Sequence, residues 1–152
     1  MTTYRITKYN PSYRDKDDAY TRKEWTSISD IGTTFGDSKI SIQDYFITEN
    51  KYINCILELL KLANISTLQV NVLESMHGCW KDGQMLSIPE IILFCRQCLR
   101  ETIWGKLKGN NFFIHFGYDF YSYIGTDIPK DAVVQVCEAN SLYCEKRKSP
   151  YQ

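Results

Sequence analysis

The chain carries no surplus charge of either sign: 18 Lys and Arg stand against 18 Asp and Glu in 152 residues. Nucleic-acid binders generally draw their phosphate affinity from a basic excess, so nonspecific binding to nucleic acid or to an anionic membrane is disfavoured. Long hydrophobic runs are missing too. The most apolar stretches, around Ile56–Leu60 and Ile88–Cys95, are interrupted by charges well short of the roughly 20 residues a membrane span needs. A soluble protein is the expectation. The opening Met-Thr-Thr-Tyr-Arg-Ile-Thr-Lys-Tyr lacks the apolar segment of roughly 7 to 15 residues that marks an export signal, which predicts a cytoplasmic home. Neither phosphate-cradling motif, Gly-x-x-x-x-Gly-Lys-Ser/Thr or Gly-x-Gly-x-x-Gly, occurs, and there is no Gly-x-Ser-x-Gly nucleophile elbow. No cofactor is expected.

What is present suffices for one core. The length is near the commonest size of a single domain, and 43% of the residues are hydrophobic and 14% aromatic. Six cysteines (Cys55, Cys79, Cys95, Cys98, Cys137 and Cys144) would suggest disulfides in a short secreted chain. Without an export signal they read as free thiols, mostly buried. Cys95 and Cys98 lie within an apolar helical stretch, not at a helix N-terminus that would stabilise a thiolate. A zinc site built on that pair with Cys79, His77 or His115 lacks the second half of a tetrahedral set, so no metal is expected.

Periodicity predicts the elements. Thr3 to Tyr9 alternates as a strand. A charged loop, Arg14 to Asp18, follows, and Thr21 to Glu24 offers a capping box for one helical turn. Residues 27–39 read as irregular. A helix starts at Ser41, bends or restarts near Thr48 and ends around Asn64, with Ile53, Ile56, Leu57 and Leu60 as its inner stripe. Thr67 to Glu74 is a strand that turns Leu68, Val70 and Val72 to one face and Leu73 to the other. A second helix is predicted from Ile88 to about Leu107, and then a hairpin from Phe112 to Phe116 and Phe120 to Ile124. A third helix, Pro129 to Ala139, would be capped by Asp127 and closed by Asn140, and a short edge strand would run from Leu142 to Glu145. The fold class is α+β, with a mixed or antiparallel sheet and about three helices packed mainly on one face. The domain would span residues 1–145, with 146–152 as a mobile basic tail.

Two chemistries can be drawn from these residues. His77 and His115, oriented by Glu74 or Asp119, could serve as the acid and base of a small metal-independent hydrolase or nuclease. The Tyr-rich segment from Tyr118 to Gly125, with the charged loop, instead suits a protein interface, since aromatic side chains anchor complexes and charged loops steer partners. Lys108 to His115 only partly follows an RNA-recognition strand, because Asn110 and His115 stand where aromatics would stack on bases.

Three stretches carry a family likeness: Tyr4-Arg5-Ile6-Thr7-Lys8-Tyr9, the run Glu-Trp-Thr-Ser-Ile-Ser-Asp-Ile-Gly over 24–32, and Phe-Ile-His-Phe-Gly-Tyr-Asp-Phe-Tyr-Ser-Tyr-Ile-Gly over 113–125. With them the chain resembles, from end to end, small bacterial immunity proteins of contact-dependent growth inhibition and related polymorphic toxin systems. The segment from Met76 to Ser87 departs from the longer helical insert of such proteins. The resemblance implies an antitoxin, not an enzyme: a monomer when free, which binds a cognate toxin domain, such as a nuclease, and occludes its active site. For a basic toxin, charge and aromatic content nominate Asp15, Asp17, Asp18, Asp30 and Asp37 for steering, and Tyr118, Asp119 and Tyr121 for anchoring. Glu24 and Glu49 are further carboxylates expected to be exposed. For an acidic toxin the alternative is the helix surface around Arg96, Arg100 and Trp104.

Overall fold

In the computed structural model, which describes residues 1–75 and 78–152, the strands form a seven-stranded sheet and a separate two-stranded hairpin. The strands are β1 (Thr2–Thr7), β2 (Thr34–Phe35), β3 (Ser38–Lys39), β4 (Thr67–Ser75), β5 (Met85–Ser87), β6 (Ile103–Gly109), β7 (Phe112–Phe116), β8 (Ser122–Thr126) and β9 (Tyr143–Lys146). The helices are α1 (Ile42–Leu62), α2 (Ile88–Leu99) and α3 (Lys130–Ala139). The large sheet runs β5-β4-β6-β7-β8-β1-β9, every neighbouring pair antiparallel. The fold is α+β.

One core joins the helices to one face of the sheet. Tyr4, Ile6, Leu68, Val70, Leu107, Ile114 and Ile124 from the strands meet Tyr52, Leu59, Phe94 and Val133 from the helices. The opposite face carries the row Glu145, Arg5, Tyr123, His115 and Lys106, set side by side by the strand registers. Two segments cover part of that row. Asp18 from the charged loop grips Arg5, and the tail lays Ser149 on His115 and the Tyr151 ring 5.5 Å from Trp104. Expected to be mobile from residue 146, the tail is instead packed: Lys146 belongs to β9 and Ser149 is buried.

All three helices end alike. Asn64, Glu101 and Ser141 take left-handed backbone angles, and the amide after each reaches back to a carbonyl five residues earlier. This is the Schellman closure, which glycine usually occupies. It corrects the second helix, which stops at Leu99 instead of Leu107. Glu101 reverses the chain, and Ile103 and Leu107 then alternate as the buried side of β6. Trp104 is therefore a strand residue.

Smaller corrections have equally local causes. Helix α1 runs unbroken through Thr48, started by a reciprocal box in which Asp44 N donates to Ser41 Oγ (3.1 Å) and Ser41 N donates to Asp44 Oδ2 (2.8 Å). Glu24 caps no helical turn, because its carboxylate takes Lys8 Nζ (2.8 Å) and Tyr20 Oη (2.9 Å). Asp127 pairs with the Met1 amine at 2.8 Å and does not cap α3. Within 27–39 there is a 3-10 turn, Ile28–Asp30, and the β2–β3 hairpin. In β4 two residues, Asn71 and Val72, face one on β6, Lys106, between Val70 and Leu73. This bulge reverses the expected alternation, turning Leu73 toward the core and setting Glu74 opposite Trp104.

Candidate functional site

The β7–β8 connection is where the structure spends strain. Tyr121 N donates to Tyr118 O (3.1 Å), and the two residues between them, Asp119 (φ 57°) and Phe120 (φ 64°), are both left-handed. Two-residue hairpin turns favour these angles, with Gly, Asn or Asp supplying them. Asp119 suits the position; Phe120 does not. The offset comes from burial: the Phe120 ring lies 5.4 Å from both Trp25 and Tyr52 and 6.1 Å from Tyr45. The turn carbonyls are held as well. Tyr52 Oη donates to Phe120 O (2.8 Å) and Tyr9 Oη donates to Asp119 O (2.7 Å). On this fixed base Tyr118 is 65% exposed.

Beside Tyr118 opens a cleft of about 540 Å³ lined by Glu74, Glu101, Ile103, Trp104 and Gly117. Each wall has a structural origin. The bulge in β4 delivers Glu74, the left-handed closure of α2 delivers Glu101, and β6 delivers Trp104, whose indole N–H donates to Phe116 O (2.7 Å). Burial and then the neighbouring Asp119 raise the Glu101 carboxyl above its ordinary range, while a hydrogen bond from the Asp119 backbone acts the other way. Ion-paired carboxylates include Asp18, Glu24, Glu49, Asp127 and Glu145. Glu74, Glu101 and Asp119 are not in that set. The wider depression between α1 and α3, about 780 Å³, has Glu58, Lys61 and Gln135 on its walls and no aromatic.

Of the residues nominated from sequence, Tyr118 and Asp119 come together here; the others are elsewhere. Asp15 accepts from the amides of Asp17 (2.8 Å) and Ala19 (3.0 Å), closing its own loop. Asp18 is ion-paired with Arg5, Arg14 and Arg147. Asp30 accepts from Thr26 N (2.7 Å) and Ser27 N (3.3 Å) in a cap. Asp17 and Asp37 are exposed in separate loops. Tyr121 is half-buried, its ring 5.6 Å from the Arg5 guanidinium and its hydroxyl accepting from Arg14 (3.0 Å). Glu49, expected on the surface, is fully buried and holds Arg96 (2.6 Å) and Arg100 (2.7 Å), so those two arginines are committed internally. Glu101 was missing from every nomination. Its only sequence signal is a carboxylate beside the α2 terminus, which the continuing apolar spacing to Ile103 obscures.

The other chemistry fares differently. His115 is buried, stacks on Phe113 at 4.2 Å and shares a 2.8 Å hydrogen bond between Nδ1 and Ser149 Oγ. Burial, with Lys106 nearby, pushes its pKa down to about 4. An imidazole kept neutral and joined to a serine, with neither Glu74 nor Asp119 orienting it, is poorly placed to shuttle protons. His77 lies outside the described residues. All six cysteines are free thiols: Cys55, Cys95, Cys98 and Cys137 are buried, Cys144 is half-buried and Cys79 is exposed. Desolvation pushes the Cys95 and Cys98 thiols well above their ordinary value, the opposite of an activated nucleophile. Among the described residues no helix is long and apolar enough to cross a membrane. No protein family, curated protein or solved structure matches this chain.

Proposed function

We propose that this chain is a cytoplasmic immunity protein that neutralises a cognate bacterial toxin domain by covering it, with the Tyr118 end of the sheet as its contact surface. The observation that carries the reading is the pairing of Tyr118 with Phe120. One side chain stands free above a carboxylate-lined cleft, and the other locks the turn into the core. Exposed aromatics held rigidly lose little conformational freedom on binding, which is the property of interface anchors. The likeness of residues 4–9, 24–32 and 113–125 to immunity proteins supports the same assignment. Carboxylates at the rim suit a toxin with a basic active-site groove, as in a nuclease.

The test is co-expression with the toxin domain encoded beside this gene. Cells should survive, and the purified pair should co-elute with the toxin's active site blocked. Unchanged killing with this protein abundant and folded removes the assignment.

A further inference from the structure

We infer that the cleft between Tyr118 and Trp104 receives a single arginine side chain from the partner protein, with Glu74 and Glu101 as its counter-charges. This rests on reading the chain as a protein inhibitor and names the chemistry of the contact.

Three independent features converge on one volume. The first is charge: the cleft holds two carboxylates, with Asp119 beside Glu101, and ion pairs among the described residues neutralise none of them. Asp18, Glu24, Glu49, Asp127 and Glu145 have cations of their own; these three are outside that set. The second is aromatic surface. Trp104 is fixed by its bond to Phe116 O and by the Tyr151 ring, while Tyr118 stands exposed on its fixed turn at the edge of the cleft. Lys106 comes within 5.9 Å of the Trp104 ring, but its ammonium donates to the Tyr151 carbonyl, leaving the cleft without a resident cation among the described residues. The third is construction. A strand bulge re-aims Glu74 from the core side to the position opposite Trp104, and a left-handed backbone holds Glu101 where glycine would be easier.

Arginine fits better than lysine. A guanidinium is planar, stacks on indole and phenol faces, and offers five donors in a fork that matches carboxylate oxygens. A space of about 540 Å³ takes such a side chain with its stem. Glu101 then acquires the cation its surroundings lack.

The direct test uses the full chain and small probes: a titration with N-acetylarginine methylamide, followed by NMR at the Trp104 indole N–H and the amides of residues 101–104 and 117–119. The uncharged isostere, N-acetylcitrulline methylamide, is the control. Arginine should shift these signals at least tenfold more effectively than citrulline, and the Glu74→Gln/Glu101→Gln pair should abolish the difference. Equal shifts from the two probes, or arginine shifts centred on Asp17 or Asp37, overturn the inference. The second arm uses the toxin domain, whose affinity for the double variant should fall at least tenfold, about 1.4 kcal/mol. If the toxin binds the double variant as tightly as the parent, the arginine contact is refuted and the immunity reading stands. If the arginine probe binds but no toxin is neutralised, the cleft stands and the immunity reading falls.

Discussion

Asp18 clasps Arg5 with both carboxylate oxygens, at 2.8 and 3.1 Å, although thirteen residues separate them in sequence. The contact straps the charged loop onto the outer face of the sheet, where Glu145 holds the same guanidinium from the far side at 2.9 Å. An aspartate so engaged cannot serve as a free steering charge. Asp18→Asn should destabilise the fold by roughly 1 to 3 kcal/mol, since the buried Arg5 loses a charged partner while keeping Glu145. Arg5 holds the Asp18 carboxyl below its ordinary range. The contribution is therefore present above the unfolded carboxyl's pKa and disappears as pH falls through the folded one. Urea titrations of parent and variant should converge in acid; a gap that persists there contradicts the pairing.

Tyr118 and Tyr121, three residues apart, should separate binding from stability. Tyr118→Ala should leave the unfolding midpoint nearly unchanged and speed dissociation of a toxin complex, at a cost of about 2 kcal/mol or more. Tyr121→Ala removes a ring packed on two guanidiniums and a hydroxyl bonded to Arg14, so it should lower stability by about 1 to 3 kcal/mol. Calorimetry and surface kinetics on both variants check this. The reverse pattern would move the interface away from the cleft.

Glu101→Gly should raise stability by about 1 kcal/mol, because glycine adopts left-handed angles without the side-chain clash. The same change deletes a carboxylate from the cleft, so affinity for a basic partner should fall while the melting temperature rises. A variant that is both less stable and unchanged in binding would show that the residue neither strains the backbone nor meets a ligand.

His115 should remain uncharged from about pH 8 down to pH 5, titrating near its lowered pKa of about 4. A histidine with a folded pKa below its unfolded value contributes stability that is complete above about 6.5 and lost as pH falls toward about 4. Imidazole carbon shifts measure the titration directly. Ser149→Ala, which removes the hydroxyl on Nδ1, should cost about 1 kcal/mol and loosen the tail.

The elements that could be read from sequence are those whose signals are local. Helix α1 declares itself through the Ser41 and Asp44 box and its apolar stripe, and β7 through its aromatic run from Phe112 to Phe116. The end of α2 was hidden because its reversing residue is Glu101 instead of glycine, and Ile103 continues the helical spacing by coincidence. Strand β5 has three residues and exists through its pairing with β4, a contact between distant segments. The site was half legible for the same reason. Tyr118 and Asp119 are neighbours in a Tyr-rich run, whereas Glu74 and Glu101 reach the cleft through a bulge and a helix closure. A count of aspartates cannot separate Asp18, locked on arginine, from Asp17, open to water.

Strand β1 lies between β8 and β9, so Arg5 pairs across the sheet with Tyr123 on one side and, 140 residues downstream, with Glu145 on the other. Such distant pairings cost loop-closure entropy before any contact rewards it, which makes the sheet slow to assemble. During synthesis the first strand emerges with neither partner yet made, its backbone groups open along both edges. Strand β1 thus waits until residues 122–146 have been made, and before that it is an exposed strand available to chaperones, proteases or its own copies.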